Sequence, residues 1–238
     1  MHTQSSLQGV QGTTYFVPIS LEKVGIFEAP LVEATEESLA GYGRLVDDFD
    51  LAEVDIVTWP QPGWRPVLPG TGNEGGITSG EFIVEWKGDI VYTFNHAVNK
   101  GYVTGWTTDP LQAREDRSTT PRDYIYTFEA NYHPDGGQIF YPRNQEPFVM
   151  LLAKPTDDVR PEHFRAFYFD GKKGVHINPS VWHQPAFPVN EHVVFDDKQG
   201  RVHACIGCQF VEEFGVYIKV PLRPIASRIK GHPRMALP

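Results

Sequence analysis

Apolar and polar residues alternate through the middle and end of the chain. Val175 and Ile177 fall on one face and His176 and Asn178 on the other, the period of a half-buried strand. Pro179 ends that ladder because it has no N–H to donate. The same period marks strands at 82–86 and 90–94, joined through Lys87-Gly88-Asp89 as a hairpin, and again at 102–106, 124–129, 139–141, 165–169, 193–196, 203–206 and 216–220. Phe148-Val149-Met150-Leu151-Leu152-Ala153 is apolar throughout, the pattern of a strand covered on both faces. Thr35 opens a short helix that Gly41 and Gly43 close, and 160–164 reads as one more helical turn. Residues 109–123 form a solvated loop. Residues 58–80, with four prolines and six glycines, form a long one, of the length that function usually explains. A loose arm (1–17) and a Pro-bearing basic tail (224–238) flank the rest. The pattern predicts one all-β domain over 1–238, a barrel or sandwich with a few short helices.

Composition narrows this picture. Of 238 residues, 40% are hydrophobic and 13% aromatic, enough for a sizeable core. A net charge of −9 argues against nucleic acid, whose recognition needs a basic footprint. No apolar run approaches the roughly 18 residues of a membrane span, and no secretory signal is visible. Two cysteines do not make a disulfide framework, and Cys205-x-x-Cys208 in a strand-like context reads as two core thiols. The expectation is a soluble, cytoplasmic protein acting on a small molecule.

Two stretches carry a resemblance. Gly174-Val175, followed by Val181-Trp182-His183-x-Pro185, and the earlier His133-Pro134-x-x-x-Gln138-x-Phe140-x-Pro142 resemble the ureidoglycolate lyase family. Pro147–Ala153, Phe164–Phe167 and Leu39–Val46 are similar to it as well, and together these cover about half of the chain. The resemblance implies a cupin-like double-stranded β-helix (jelly-roll) barrel, cleavage of ureidoglycolate to glyoxylate and urea, a place in purine and allantoin catabolism, and a homodimer. The chain departs from the family pattern at Thr107-Thr108, where the pattern has an arginine, so carboxylate binding is expected to differ.

The candidate chemistry sits in these motifs. Glu129, Asn131 and His133 share a face if the strand continues, and the Gly136-Gly137 turn brings Gln138 back towards them. Glu129, His133, Gln138 and the later His183 are the candidate ligands of one divalent ion, nickel, manganese, iron or zinc, since imidazole and carboxylate suit several such metals. A purely hydrogen-bonded polar site is the alternative. His133, Glu129 and His183 are the candidate catalytic groups, with His133 or Glu129 as base and His183 as ligand or as proton donor to the leaving nitrogen. Gln138, Tyr141, His176, Trp182 and Lys154 are candidate substrate contacts. Lys154 and Arg143 are candidate carboxylate clamps. The competing function is a non-catalytic cupin that binds a small polar metabolite or sugar acid. The 58–80 loop, carrying Trp59 and Trp64, is expected to cover the pocket or a dimer contact.

Overall fold

The structure, a computed structural model, describes residues 16–57, 63–72 and 74–224. It is all-β. Ten strands form one mixed sheet in the order Gly25–Glu28, Val216–Pro221, Tyr124–Thr127, Lys100–Trp106, Ile90–Asn95, Glu74–Lys87, His192–Val202, Gln138–Pro142, Gly174–Ile177 and Gly43–Val46. A second sheet runs Ile206–Gln209, Glu129–Tyr132, Trp182–His183, Phe148–Ala153, Arg165–Phe169 and Leu31–Glu33, and Phe187–Pro188 also pairs with Phe148–Ala153. The result is a cupin-like sandwich. Among the described residues, no helix is long and apolar enough to cross a membrane.

The all-apolar segment is, as its pattern predicted, the most enclosed strand: none of its six residues is accessible to solvent. Parity explains why both faces must be apolar. Phe148 meets Phe195 of the opposite sheet edge-on at 4.9 Å and stacks on Phe169 at 4.5 Å. Phe140 continues this seam against Phe195 and Phe82, at 5.6 and 5.1 Å. On the other side of the second sheet, the Trp182 indole N–H donates to the Thr156 carbonyl at 2.8 Å and Phe164 packs against Phe210 at 5.0 Å. Such aromatic pairs add to the burial of area between two sheets.

Several expectations change. The capped segment at 35–41 forms hydrogen-bonded turns rather than a helix: Thr35 Oγ1 accepts from Ser38 N at 3.1 Å, but the ladder stops at Gly41, whose φ of +85° lies outside the helical region. The 58–80 segment is loop only in part, since from Glu74 the chain enters a 14-residue strand that pairs with His192–Val202. Its glycines and polar residues hid that pattern. Positions 58–62, Trp59 included, lie outside the described residues. Phe16 of the expected arm is buried against Phe128 (stacked, 4.3 Å) and Trp106 (6.4 Å). Phe210–Phe214 makes an α-helix where only a strand-to-strand connection was expected.

The enclosed strand gives a direct test. Leu151→Ala should lower the unfolding free energy by about 2–5 kcal/mol, the cost of a core cavity. Leu111→Ala, at an exposed turn position, should change it by less than about 0.5 kcal/mol. Urea titration of the two variants checks this, and equal midpoints would reject the assignment of the central strand.

Candidate active site

Three strands change character along their inner faces, and this creates the site. His192–Val202 presents Val193 and Phe195, then Asp197 and Gln199, all buried. Gln138–Pro142 presents Phe140 and then Gln138, paired across from Asp197 and Gln199 respectively. Ile90–Asn95 presents Val91, Thr93 and Asn95, all buried. One end of the interior is therefore apolar and the other polar. At the polar end lies a cavity of about 30 Å3, lined by Asn131, His133, Gln138, His183, Gln199 and His203, among others, with Phe82 and Phe140 as its apolar wall.

Three imidazoles meet there. His133 stacks on His203 at 4.4 Å and stands edge-on to His183 at 5.1 Å. His133 follows the strand Glu129–Tyr132, and His183 is brought in by pairing with Asn131 and Leu152. His133 Nδ1 lies 3.0 Å from the Ala204 carbonyl and His183 Nδ1 lies 2.9 Å from that of Val181. A carbonyl only accepts, so both Nδ1 atoms carry the proton, and each Nε2 is left as the basic nitrogen. His203 has the reverse arrangement, its Nε2 accepting from Gly200 N at 2.8 Å. It sits in a cradle of two glycines: a Cβ at Gly136 or at Gly200 would come within 2.8 Å of its ring.

Burial sets the electrostatics. It holds the His133 imidazole well below its ordinary range, helped by its neighbours His203 and His183. It pushes His183 down to about 4, against its bond to Val181. The same cause acts oppositely on a carboxyl: Asp197 is pushed up to about 7, the hydrogen bond from Gln138 working against the rise. Gln138 Nε2 donates to Asp197 Oδ1 at 2.7 Å and to Gln199 Oε1 at 2.9 Å, and Asn95 Nδ2 reaches Gln199 Oε1 at 3.3 Å. The Tyr102 hydroxyl is held protonated chiefly by burial. Several buried polar atoms here, Asp197 Oδ2, Asn131 Oδ1, Thr93 Oγ1 and His203 Nδ1, have no hydrogen-bond partner among the described residues. Buried polar atoms are rarely left so.

The structure brings His133, His183 and Gln138 together and sets the other candidates elsewhere. Glu129 is buried on the strand that leads to His133, but its carboxylate takes the side-chain amide of Gln209. Gln138 spends its NH2 on Asp197 and Gln199. Those two bonds use the Gln138 nitrogen and leave its Oε1, and among the described residues no three His, Cys, Asp or Glu side chains are grouped to hold a metal ion. Tyr141 and His176 point to the opposite face of their sheet. There the Tyr141 hydroxyl donates to Asp47 O at 3.2 Å, and His176 Nδ1 lies 3.1 Å from an Arg44 guanidinium nitrogen. Trp182 neighbours His183 in sequence and so faces the other way, into the core. Lys154 lies in an outer groove over the Tyr42 ring at 5.3 Å, and Arg143 is bound to Asp196 and Glu81 at the surface. Cys205 and Cys208 are free and buried. Asp197, Gln199 and His203 were missed. The parity Val193, Phe195, Asp197, Gln199 was the available signal, and it stands out only if the strand is extended past Asp196.

Part of the long connection borders the site. Gly72 N donates to His203 O at 3.1 Å, Leu68 N to Cys205 O at 2.8 Å, and Thr71 Oγ1 accepts from Cys205 N at 3.0 Å. Arg65 ties it down through a two-pronged pair with Glu213, at 2.6 and 2.9 Å, and lies over Trp64 and Trp182. Trp64 itself is 64% exposed.

The fold and cavity define a class: an all-β sandwich whose interior ends in a small imidazole-and-amide pocket. Comparison with known proteins finds a similarity over part of the chain. Residues 115–216, which hold His133, Gln138, His183, Asp197 and His203, match the family model of ureidoglycolate lyase. The ureidoglycolate lyase of Azotobacter vinelandii is 39% identical over 67 residues, which are 27% of this chain and 40% of that protein. That of Stutzerimonas stutzeri is 34% identical over 83 residues (34% and 49%), and that of Salmonella enteritidis 40% over 63 residues (26% and 39%). The chain thus spans less than half the length of these relatives and is longer than they are. It carries a ureidoglycolate lyase-type segment as a divergent relative of that family.

His183 offers a pH test. Its pKa is depressed by folding, so between about 4 and 6.5 the unfolded chain binds a proton that the native one does not. Its contribution is present above that window and is lost as pH falls through it. The stability gap between wild type and His183→Gln should shrink by roughly 1.4 kcal/mol per pH unit below 6.5. Denaturant titrations at pH 7, 6 and 5 measure it, and a constant gap would rule out a neutral buried His183.

Proposed function

We propose that the chain is a carbon–nitrogen lyase of the ureidoglycolate lyase type, splitting ureidoglycolate into glyoxylate and urea. The observation that carries this reading is the pair His133 and His183. Both are held neutral, both have Nδ1 committed to a backbone carbonyl, and both leave Nε2 free as a base beside one cavity. Both lie in the segment that matches the family.

The reaction needs a base for the substrate hydroxyl. As its proton passes to Nε2, the oxygen's electrons form the carbonyl and the C–N bond breaks, its pair moving to the ureido nitrogen. An imidazole fixed by its second nitrogen does this without changing tautomer. Gln138, Gln199 and Asn95 hold one another in fixed orientation, so their remaining donors and acceptors are preset for a polar ligand. A cavity of about 30 Å3 has room for about one water. Substrate entry therefore requires the cavity to widen. A homodimer, implied by the resemblance, belongs to the same reading.

The small size of the cavity is also the observation that favours the second reading, a binding module. The two are separated by incubating the purified chain with ureidoglycolate and measuring glyoxylate and urea. His133→Ala and His183→Ala should each lower kcat by about 10²–10⁴-fold, the usual worth of a positioned acid or base. Ureidoglycolate recovered unchanged from the wild-type protein would remove the lyase reading and leave ligand binding.

A further inference from the structure

The cavity nears the surface beside one strand. Lys100–Trp106 pairs with Ile90–Asn95 along one edge, but on its other edge it meets Tyr124–Thr127 only at Trp106 and Tyr126. Among the described residues, that second edge is therefore open at Tyr102. We propose that Tyr102 is a ligand-binding residue of this site, and that its hydroxyl donates to an uncharged carbonyl oxygen, that of the ureido group. The inference rests on the lyase reading for the identity of the ligand, and adds to it a residue from outside the segment that matches the family.

Register places the side chain. Tyr102 pairs with Thr93, and directly opposed residues share a face. Thr93 is buried on the inner face with Val91 and Asn95, so Tyr102 points inward too. It lines the cavity together with Asn95, Asn131, His133 and His183. Its neighbours Gly101 and Val103 line an outer groove of about 620 Å3 instead. Tyr102 borders that groove as well and is partly exposed. The residue thus stands between the cavity and the surface, and whatever fills the cavity touches it.

Chemistry selects the acceptor. The Tyr102 hydroxyl makes no hydrogen bond to another described residue, whereas the amide nitrogens of Gln138 and Asn95 are already engaged. Burial keeps the proton on the phenol, so it enters a complex as a donor. Among the described residues no Lys or Arg lines the cavity, and the carboxyls of Asp197 and Glu129 act on the hydroxyl from nearby. A ligand carboxylate at this point would lack a counter-charge. A ureido carbonyl needs none. It is also the oxygen onto which the electron pair freed by C–N cleavage spreads, so a donor fixed there strengthens its bond as the reaction proceeds.

Two probes, each lacking one part of ureidoglycolate, test this on the full chain by calorimetric titration. Ureidoacetate keeps the ureido group but has no hydroxyl, so this reaction cannot cleave it. Glycolate keeps the hydroxyl and the carboxylate and has no ureido group. Tyr102→Phe, which retains the ring, should bind ureidoacetate about 3–10-fold more weakly than the wild type, the worth of one hydrogen bond. Its affinity for glycolate and its unfolding temperature should be unchanged, which separates a lost contact from a disturbed fold. Unchanged affinity for ureidoacetate, equal losses for both probes, or a wild type that binds no ureidoacetate would overturn the proposal. If ureidoacetate binding responds as stated while the wild type leaves ureidoglycolate intact, the lyase reading falls and Tyr102 stands as a binding residue.

Discussion

The inner faces of a two-sheet protein must be filled, and in this one they are filled asymmetrically. Along His192–Val202 the inward positions run Val193, Phe195, Asp197, Gln199, so the strand that bears the aromatic seam also bears the polar floor. Phe195 locks the sheets together through Phe148 and packs on Phe140 of its own sheet. Two residues on, on the same face and between the same two strands, the side chain is a carboxyl. The site is thus an extension of the core and shares its rigidity. Polar groups placed there can neither reach bulk water nor move far, and each must find a partner or wait for a ligand.

That placement explains why the titrating groups of the cavity diverge from their ordinary behaviour in opposite senses. One cause, loss of hydration, lowers the imidazole pKa values and raises that of the carboxyl. His176 is an instructive contrast. It too is buried and pushed down to about 4, by burial and then by Arg44. It faces the opposite side, beneath the 43–57 segment and within 3.5 Å of Asp55. A depressed histidine pKa by itself does not mark a site; the cavity does.

The segments around the cavity show how the long N-terminal half serves the part that resembles known lyases. Asp55 O accepts from Gly137 N, and Val57 N donates to Asp135 O, pinning the turn that carries His133. Thr71 and Gly72 do the same for 203–205, and Arg65 fastens that connection to Glu213. The family-like segment supplies His133, Gln138, His183 and His203, while residues before it hold the two turns on which His133 and His203 stand.

Much of this was legible in the chain. Alternation gave the all-β class, the hairpin at 87–90 and the enclosed strand 148–153, because a period of two is a local property of extended backbone. The two motifs gave His133, Gln138 and His183. Parity could have gone further: Gln138 and Tyr141, or Trp182 and His183, cannot share a face of one regular strand, so each pair holds one member outside the cavity. Three things the sequence by itself did not determine. It did not say which strands lie beside one another, and so could not join Gln138 to Asp197 and Gln199, some 60 residues away. It did not show that Glu74 begins a strand, because glycines and small polar residues carry little pattern. It could not give protonation states, since those follow from burial and neighbours. Only the tertiary structure decided these, because strand order and desolvation are set by contacts between distant parts of the chain.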